Sequence, residues 1–317
     1  MLISELLTPR ADRAHMSPLL SASAILQLAV AVAAGPVLAA PRISLEAVRS
    51  WGYQLQQVDP AAVTATPYDL VVIDYMRDGA AAGPFEPAKL AQMQRKPDGH
   101  RRIVLAYLSI GEAEDYRFYW QRDWAGAPPA WLGAENPDWP GNYAVRYWDH
   151  TWQDLILGTP GAYLDAILAG GFDGVYLDRI DAFDVPDPVF SRPHRMQLMS
   201  DFVVRIASYA RQHRPGFIVV GQNGEELLDD PDYASTIDAV GKEDLFFGLA
   251  GDGVINGNAE LRASLRHLQR FQAAGKPVLL VEYLDEPQSI ELARQKAAAL
   301  GAPLFIGDRE LDDVGSR

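Results

Sequence analysis

Four apolar runs in this chain end on an acidic residue: Leu70-Val71-Val72-Ile73-Asp74, Val175-Tyr176-Leu177-Asp178, Val240-Gly241-Lys242-Glu243 and Leu280-Val281-Glu282. Ser109-Ile110-Gly111-Glu112 brings a fifth acidic group just past such a run. If these runs are parallel strands of a barrel, their C-terminal ends meet at the mouth where barrel active sites lie. Side chains along a strand alternate between two faces, so Gly174, Tyr176 and Asp178 share one face and Ala239, Gly241 and Glu243 share another. Both carboxylates then converge on one cavity, with Lys242 turned the other way. Two carboxyl groups facing one cavity suit cleavage of a glycosidic bond: one protonates the leaving oxygen, the other attacks the anomeric carbon or activates water. For Asp74 and Asp149, capping of a loop or helix is an equally good use of the side chain.

Other chemistries find less support. The six histidines, at positions 15, 100, 150, 194, 213 and 267, show no metal-ligand spacing, which argues against a zinc hydrolase. No Gly-x-Ser-x-Gly elbow occurs, and without cysteine there is no thiol nucleophile. No cofactor motif and no metal site is expected.

The elements that must position these carboxylates are short. Candidate strands run over residues 51–56, 70–75, 103–110, 145–148, 175–178, 217–221, 239–243, 278–283 and 303–306, and helical periodicity is clearest over 155–169, 196–212, 259–273 and 288–300. Strands separated by single helices imply parallel βαβ units, and about eight of them close a barrel. An α/β fold of the (β/α)8 (TIM) barrel type in a single domain is the expectation. A doubly wound open sheet would carry a glycine-rich loop after its first strand, and Leu55-Gln56-Gln57-Val58-Asp59 has no glycine. Residues 145–148 are the surplus strand, assigned to a long loop after the third strand because residues 111–141 lack a crossover helix. That loop holds Tyr116, Tyr119, Trp120, Trp124, Trp131 and Trp139. Aromatic rings can stack on the apolar faces of sugars, and one or two of the six are expected to do so while the others pack the loop.

With 48% hydrophobic residues the chain can bury a large core. Pro18 to Ala40 carries no charge, follows Arg13 and His15, and ends in Val37-Leu38-Ala39-Ala40-Pro41. Residues 1–40 therefore read as an export signal, with Met16 as a possible start, and residues 41–317 as the mature domain. The alternative is an uncleaved N-terminal anchor. The mature domain is expected to be secreted or periplasmic, with no membrane association of its own. Residues 1–40 contain Glu5, Asp12, Arg10 and Arg13, so the net charge of −14 belongs to the mature domain. Such a surface argues against nucleic acid and anionic membranes and is compatible with a cationic substrate.

The same blocks resemble the endo-α-1,4-polygalactosaminidase family of glycoside hydrolases, related to the hydrolase domain acting on the Pel-type biofilm polysaccharide. The resemblance runs from Trp51-Gly52-Tyr53-Gln54-Leu55-Gln56 through Asp74-Tyr75, Ala106-Tyr107-Leu108-Ser109-Ile110-Gly111-Glu112 and Gly171-Phe172-Asp173-Gly174-Val175-Tyr176-Leu177-Asp178. It continues through Gln222-Asn223-Gly224-Glu225, Glu243-Asp244-Leu245-Phe246 and Val281-Glu282-Tyr283. It implies a (β/α)8 barrel cleaving α-1,4-linked galactosamine polymers internally, with Asp178 as nucleophile and Glu243 as acid/base in a retaining mechanism. Asp74, Tyr107, Glu112, Tyr116, Trp148, Asp181, Asn223 and Tyr283 become candidate sugar contacts. Asp74, Glu112, Asp181 and Glu282 make an acidic mouth suited to a cationic galactosamine polymer. Arg179 and Lys242 depart from the family pattern beside the two catalytic positions, which bears on the exact sugar more than on the reaction. The competing readings are an α-glycosidase for another polysaccharide and an exported sugar-binding barrel without turnover.

Overall fold

The computed structural model describes residues 44–76 and 83–315. Eight strands, all parallel, pair edge to edge in chain order: β1 (Trp51–Gln54), β2 (Leu70–Ile73), β3 (Ile103–Ser109), β4 (Gly174–Asp178), β5 (Ile218–Gln222), β6 (Ala239–Glu243), β7 (Val278–Tyr283) and β8 (Leu304–Gly307). β8 returns against β1, and above that seam the N–H groups of Leu55 and Gln56 donate to the Leu311 carbonyl at 2.8 and 3.1 Å. The chain folds as a (β/α)8 barrel.

These strands are buried on both faces, as parallel strands are when helices cover one side and a barrel core fills the other. Trp51, Tyr53, Leu105, Tyr107, Tyr176, Val220, Val281 and Phe305 face inward. Val71, Val104, Val175, Leu177, Val219, Val240 and Leu280 face the helices. The Trp51, Tyr53 and Tyr176 rings lie 5.3 to 6.1 Å apart inside the barrel. Gly241 makes that possible, since a Cβ there would run into the Tyr176 hydroxyl.

The helices are α1 (Pro60–Ala65), α2 (Pro87–Met93), α3 (His150–Ile156), α4 (Tyr163–Gly170), α5 (Arg192–His213), α6 (Pro231–Thr236), α7 (Asn258–Ala273) and α8 (Pro287–Leu300). Their starts follow local chemistry. Asp59, Asp149 and Asp230 cap α1, α3 and α6 with a side-chain oxygen, and proline opens α1, α2, α6 and α8, where a missing N–H does no harm. The helix expected over 155–169 is in fact α3 and α4. Between them Gly158 and Gly161 take φ of 85° and 86°, a left-handed geometry that a helix cannot contain, and Pro160 lacks a donor.

After β3 the chain leaves the barrel for an antiparallel three-stranded sheet built from Glu112–Glu114, Leu132–Glu135 and Asn142–Val145, with the last in the middle. Residues 145–148 are thus no barrel strand. Among the described residues no helix is long and apolar enough to cross a membrane. The segment read as an export signal, residues 1–40, lies outside the described residues.

Candidate active site

β4 and β6 end on Asp178 and Glu243, on the inner-face register that holds Tyr176 and Ala239. The residue after each of β4, β5 and β6 is left-handed without being glycine: Arg179 (φ 59°), Asn223 (φ 58°) and Asp244 (φ 52°). Such a conformation costs an L-residue about 1 kcal/mol or more and persists where the surroundings enforce it. The other left-handed non-glycines among the described residues, Gln57 and Leu311, line the same cleft. Backbone strain is therefore concentrated around one mouth, which opens as a cleft of about 590 Å³ with Asp178 and Glu243 on its wall.

The two carboxylates are held differently. Asp178 Oδ2 accepts from the Tyr107 hydroxyl at 2.7 Å. Glu243 receives three side-chain donors: the Tyr283 hydroxyl on Oε1, and the Gln222 and Asn223 amides on Oε2, the latter at 3.0 Å. Tyr53 supports this set from below, donating its hydroxyl to Gln222 Oε1 at 3.0 Å and so turning the Gln222 NH2 toward Glu243. Burial raises the Asp178 pKa to about 7, helped by the charge of Glu243 and opposed by the Tyr107 hydrogen bond. Burial also raises Glu243, against the pull of Tyr283, Asn223 and Lys242. Two interacting carboxyl groups with raised pKa values titrate as a pair that retains one proton near neutrality, and a pair in that state can serve as acid and nucleophile at once.

Three arginines line the cleft, and each lies between two carboxylates. Arg117 joins Asp74 at 2.7 Å and Glu114 at 2.6 Å. Arg179 joins Glu112 at 3.0 Å and Asp181 at 3.6 Å. Arg309 joins Asp244 at 3.1 Å and Asp252 at 2.6 Å, with its guanidinium 4.6 Å from the Tyr283 ring centre. Burial raises Asp74, Glu112 and Asp181 against these guanidinium groups. Among the described residues no group of three or more acidic or histidine side chains is arranged to hold a metal ion.

Of the eight candidate sugar contacts and Glu282 of the expected acidic mouth, Asp74, Tyr107, Glu112, Tyr116, Asp181, Asn223 and Tyr283 line the cleft. Glu282 does not. It takes the outer face of β7, is fully buried, and accepts the backbone N–H groups of Phe246 and Phe247 at 2.8 and 3.2 Å. Alternation along β7, with Val281 and Tyr283 inward, already excludes it from the mouth. Trp148 does not line the cleft either; it packs edge-on against Tyr147 and Phe190 with centroids 4.8 and 5.5 Å apart. Of the six loop aromatics, Tyr116 and Trp139 line the cleft with 42% and 46% of their surface exposed. Tyr119, Trp120, Trp124 and Trp131 instead pack with one another and with Tyr143 and Trp152.

Sequence reasoning passes over Tyr53, Gln222, Asn136 and Arg309, all on the cleft wall. Gln222 carried a usable signal, since it ends β5 as Asp178 and Glu243 end β4 and β6. Asn136, whose amide donates to Glu112 at 3.0 Å, and Arg309 lie on loops without a periodic pattern.

Residues 33–317 match the model of glycoside hydrolase family GH114. The chain belongs to that family. An uncharacterized protein of Deinococcus radiodurans is 39% identical to it over 274 residues, covering 86% of this chain and 84% of that one. One of Thermotoga maritima is 38% identical over 241 residues, covering 75% and 71%. In three dimensions this GH114 barrel is similar to the glycoside hydrolase domain of PelA from Pseudomonas aeruginosa, with a TM-score of 0.64 at 21% identity, covering 84% of this chain and 98% of that one. It is equally similar to Aspergillus fumigatus Ega3, solved in complex with galactosamine, with a TM-score of 0.64 at 18% identity, covering 88% and 98%. At these identities the two structures speak for the fold, and the GH114 match makes the chain a glycoside hydrolase acting on a polysaccharide.

Proposed function

We propose that this GH114 enzyme cleaves α-1,4-linked galactosamine-containing polysaccharide internally, with retention, using Asp178 as nucleophile and Glu243 as acid/base. The observation that carries the reading is the convergence of these two carboxyls, both with raised pKa values, in one strained cleft. Glu243 gives its proton to the leaving glycosidic oxygen while an Asp178 oxygen bonds to the anomeric carbon. Glu243 then takes a proton from water, whose oxygen displaces Asp178 and restores the original configuration. In the free enzyme the three donors on Glu243 favour charge there and leave the shared proton on Asp178. Positive charge developing at the anomeric carbon beside Asp178 favours its ionised form, and the proton then resides on Glu243. The Tyr283 hydroxyl can turn from donor to acceptor to allow this.

The charges of the cleft support a cationic substrate. Arg117 and Arg179 each pair with two carboxylates of the cleft wall, and Asp178, Glu243 and Glu310 add to these, so the wall carries more carboxyl than guanidinium groups without any help from Glu282. A polymer of free galactosamine is attracted by that field, an N-acetylated one far less. The presence of galactosamine in the Ega3 structure agrees with this choice. Export through residues 1–40, to the periplasm or the medium, belongs to the same reading.

The test is product analysis on de-N-acetylated and N-acetylated galactosaminoglycan. Early products of mixed length, faster cleavage of the deacetylated polymer and a rate that falls with salt are expected. Release of monosaccharide alone, or equal and salt-independent cleavage of both polymers, contradicts the assignment.

A further inference from the structure

Lys242 belongs to β6 but points away from the barrel interior, opposite to Glu243. Its side chain is only 12% exposed and its ammonium lies 3.4 Å from both Asn223 Oδ1 and Glu225 Oε1. Asn223 Oδ1 also accepts the Glu243 backbone N–H at 3.1 Å. With two donors on its oxygen, the Asn223 amide has one orientation left, and that orientation directs Nδ2 to Glu243 Oε2 at 3.0 Å. Glu225 is itself held by the Ser264 hydroxyl from α7, so the ammonium has a fixed seat. An apolar residue at 242 would leave the Glu243 N–H to hold Asn223 Oδ1 without the ammonium, and the amide would be less firmly fixed.

We propose that Lys242 is a positioning residue for the hydrolysis: its ammonium fixes the Asn223 amide against Glu243 and sets a positive charge behind the acid/base. This rests on the reading of Glu243 as acid/base. The charge acts on a crowded acidic neighbourhood. Facing Glu243 are Asp178 from β4, Tyr283 from β7, Asp244 on its own turn, and Tyr53 and Tyr176 from the barrel interior. Facing Lys242 are Glu225, Asp181 and Asp244. Against these anions Lys242 favours the ionised form of Glu243. Removing it makes Glu243 hold its proton to higher pH.

The experiment compares Lys242→Met and Lys242→Arg with the unaltered enzyme in kcat, KM and the pH profile on de-N-acetylated galactosaminoglycan. For Lys242→Met, kcat falls about tenfold with KM within about twofold, and the basic limb of the kcat profile, where bound substrate puts the proton on Glu243, moves up by about half a pH unit or more. Lys242→Arg restores the profile. The position of the limb does not depend on how much protein is folded, so a less stable variant still answers the question. A Lys242→Met profile that overlays the original, or a loss confined to KM, overturns the proposal. Glu243→Gln serves as the control. If it stays active, the acid/base reading fails; if it is inactive while the Lys242→Met profile is unshifted, only the role of Lys242 fails.

Discussion

Glu243 and Glu282 sit at the ends of neighbouring strands, Glu243 in register with Val281, one residue before Glu282. Both have their pKa raised by burial, Glu282 to about 8. Their surroundings differ because one residue of alternation puts them on opposite faces of the wall. Glu243 turns inward, meets side-chain donors from β5 and β7, and opens onto the cleft. Glu282 turns outward and accepts the N–H groups of Phe246 and Phe247, which pins the turn leaving β6. The face of the strand, more than the residue type or its place at a strand end, decides whether a carboxylate opens onto the cleft or supports the wall.

The largest effects should separate these faces. Asp178→Asn and Glu243→Gln are expected to lower kcat by about a thousandfold or more while the melting temperature holds or rises, since each removes a charge from a buried like-charged pair. A matching loss of stability in either variant would break the contrast. Glu282→Ala should do the reverse. It leaves two buried N–H groups without an acceptor and lowers stability by about 2 kcal/mol or more in denaturant titration, while kcat of the folded fraction changes less than about tenfold. A dead but fully stable Glu282→Ala would return that residue to the chemistry.

A smaller effect sharpens the inner face itself. The Tyr107 hydroxyl stabilises ionised Asp178, so Tyr107→Phe raises the Asp178 pKa further. Asp178 then keeps the pair's shared proton to higher pH, so the basic limb of the kcat/KM profile moves up in Tyr107→Phe. In the unaltered enzyme that limb sets in as pH climbs above about 7 and the pair loses its shared proton. The smallest effects concern aromatics. Tyr116→Ala and Trp139→Ala should raise KM about three- to tenfold with little change in kcat, whereas Trp148→Ala leaves KM alone and costs stability instead.

Much of this could be read from the sequence where local rules act alone. The bounds of β6 and β7 follow from their apolar runs, and alternation sends Asp178 and Glu243 into one cavity. It also turns Glu282 away, although Glu282 closes an apolar run just as Asp178 and Glu243 do. The aromatic loop was legible as a kind, with two rings in the cleft, but which two depends on how the three-stranded sheet folds back. Contacts that cross the barrel were not legible. Tyr53 and Gln222 are 169 residues apart and meet only because the strands between them close a ring. The three arginines between paired carboxylates join loops in the same way.

The most direct test of the central claim uses Asp178→Ala and Glu243→Ala on an aryl α-galactosaminide with added azide, reading the anomer of the glycosyl azide by NMR. With Asp178 as nucleophile and Glu243 as acid/base, azide rescues Glu243→Ala to the α-anomer by displacing Asp178 from the covalent intermediate. It rescues Asp178→Ala to the β-anomer by attacking the substrate itself. The opposite pairing of variant and anomer would contradict the assignment, as would a β-product from both.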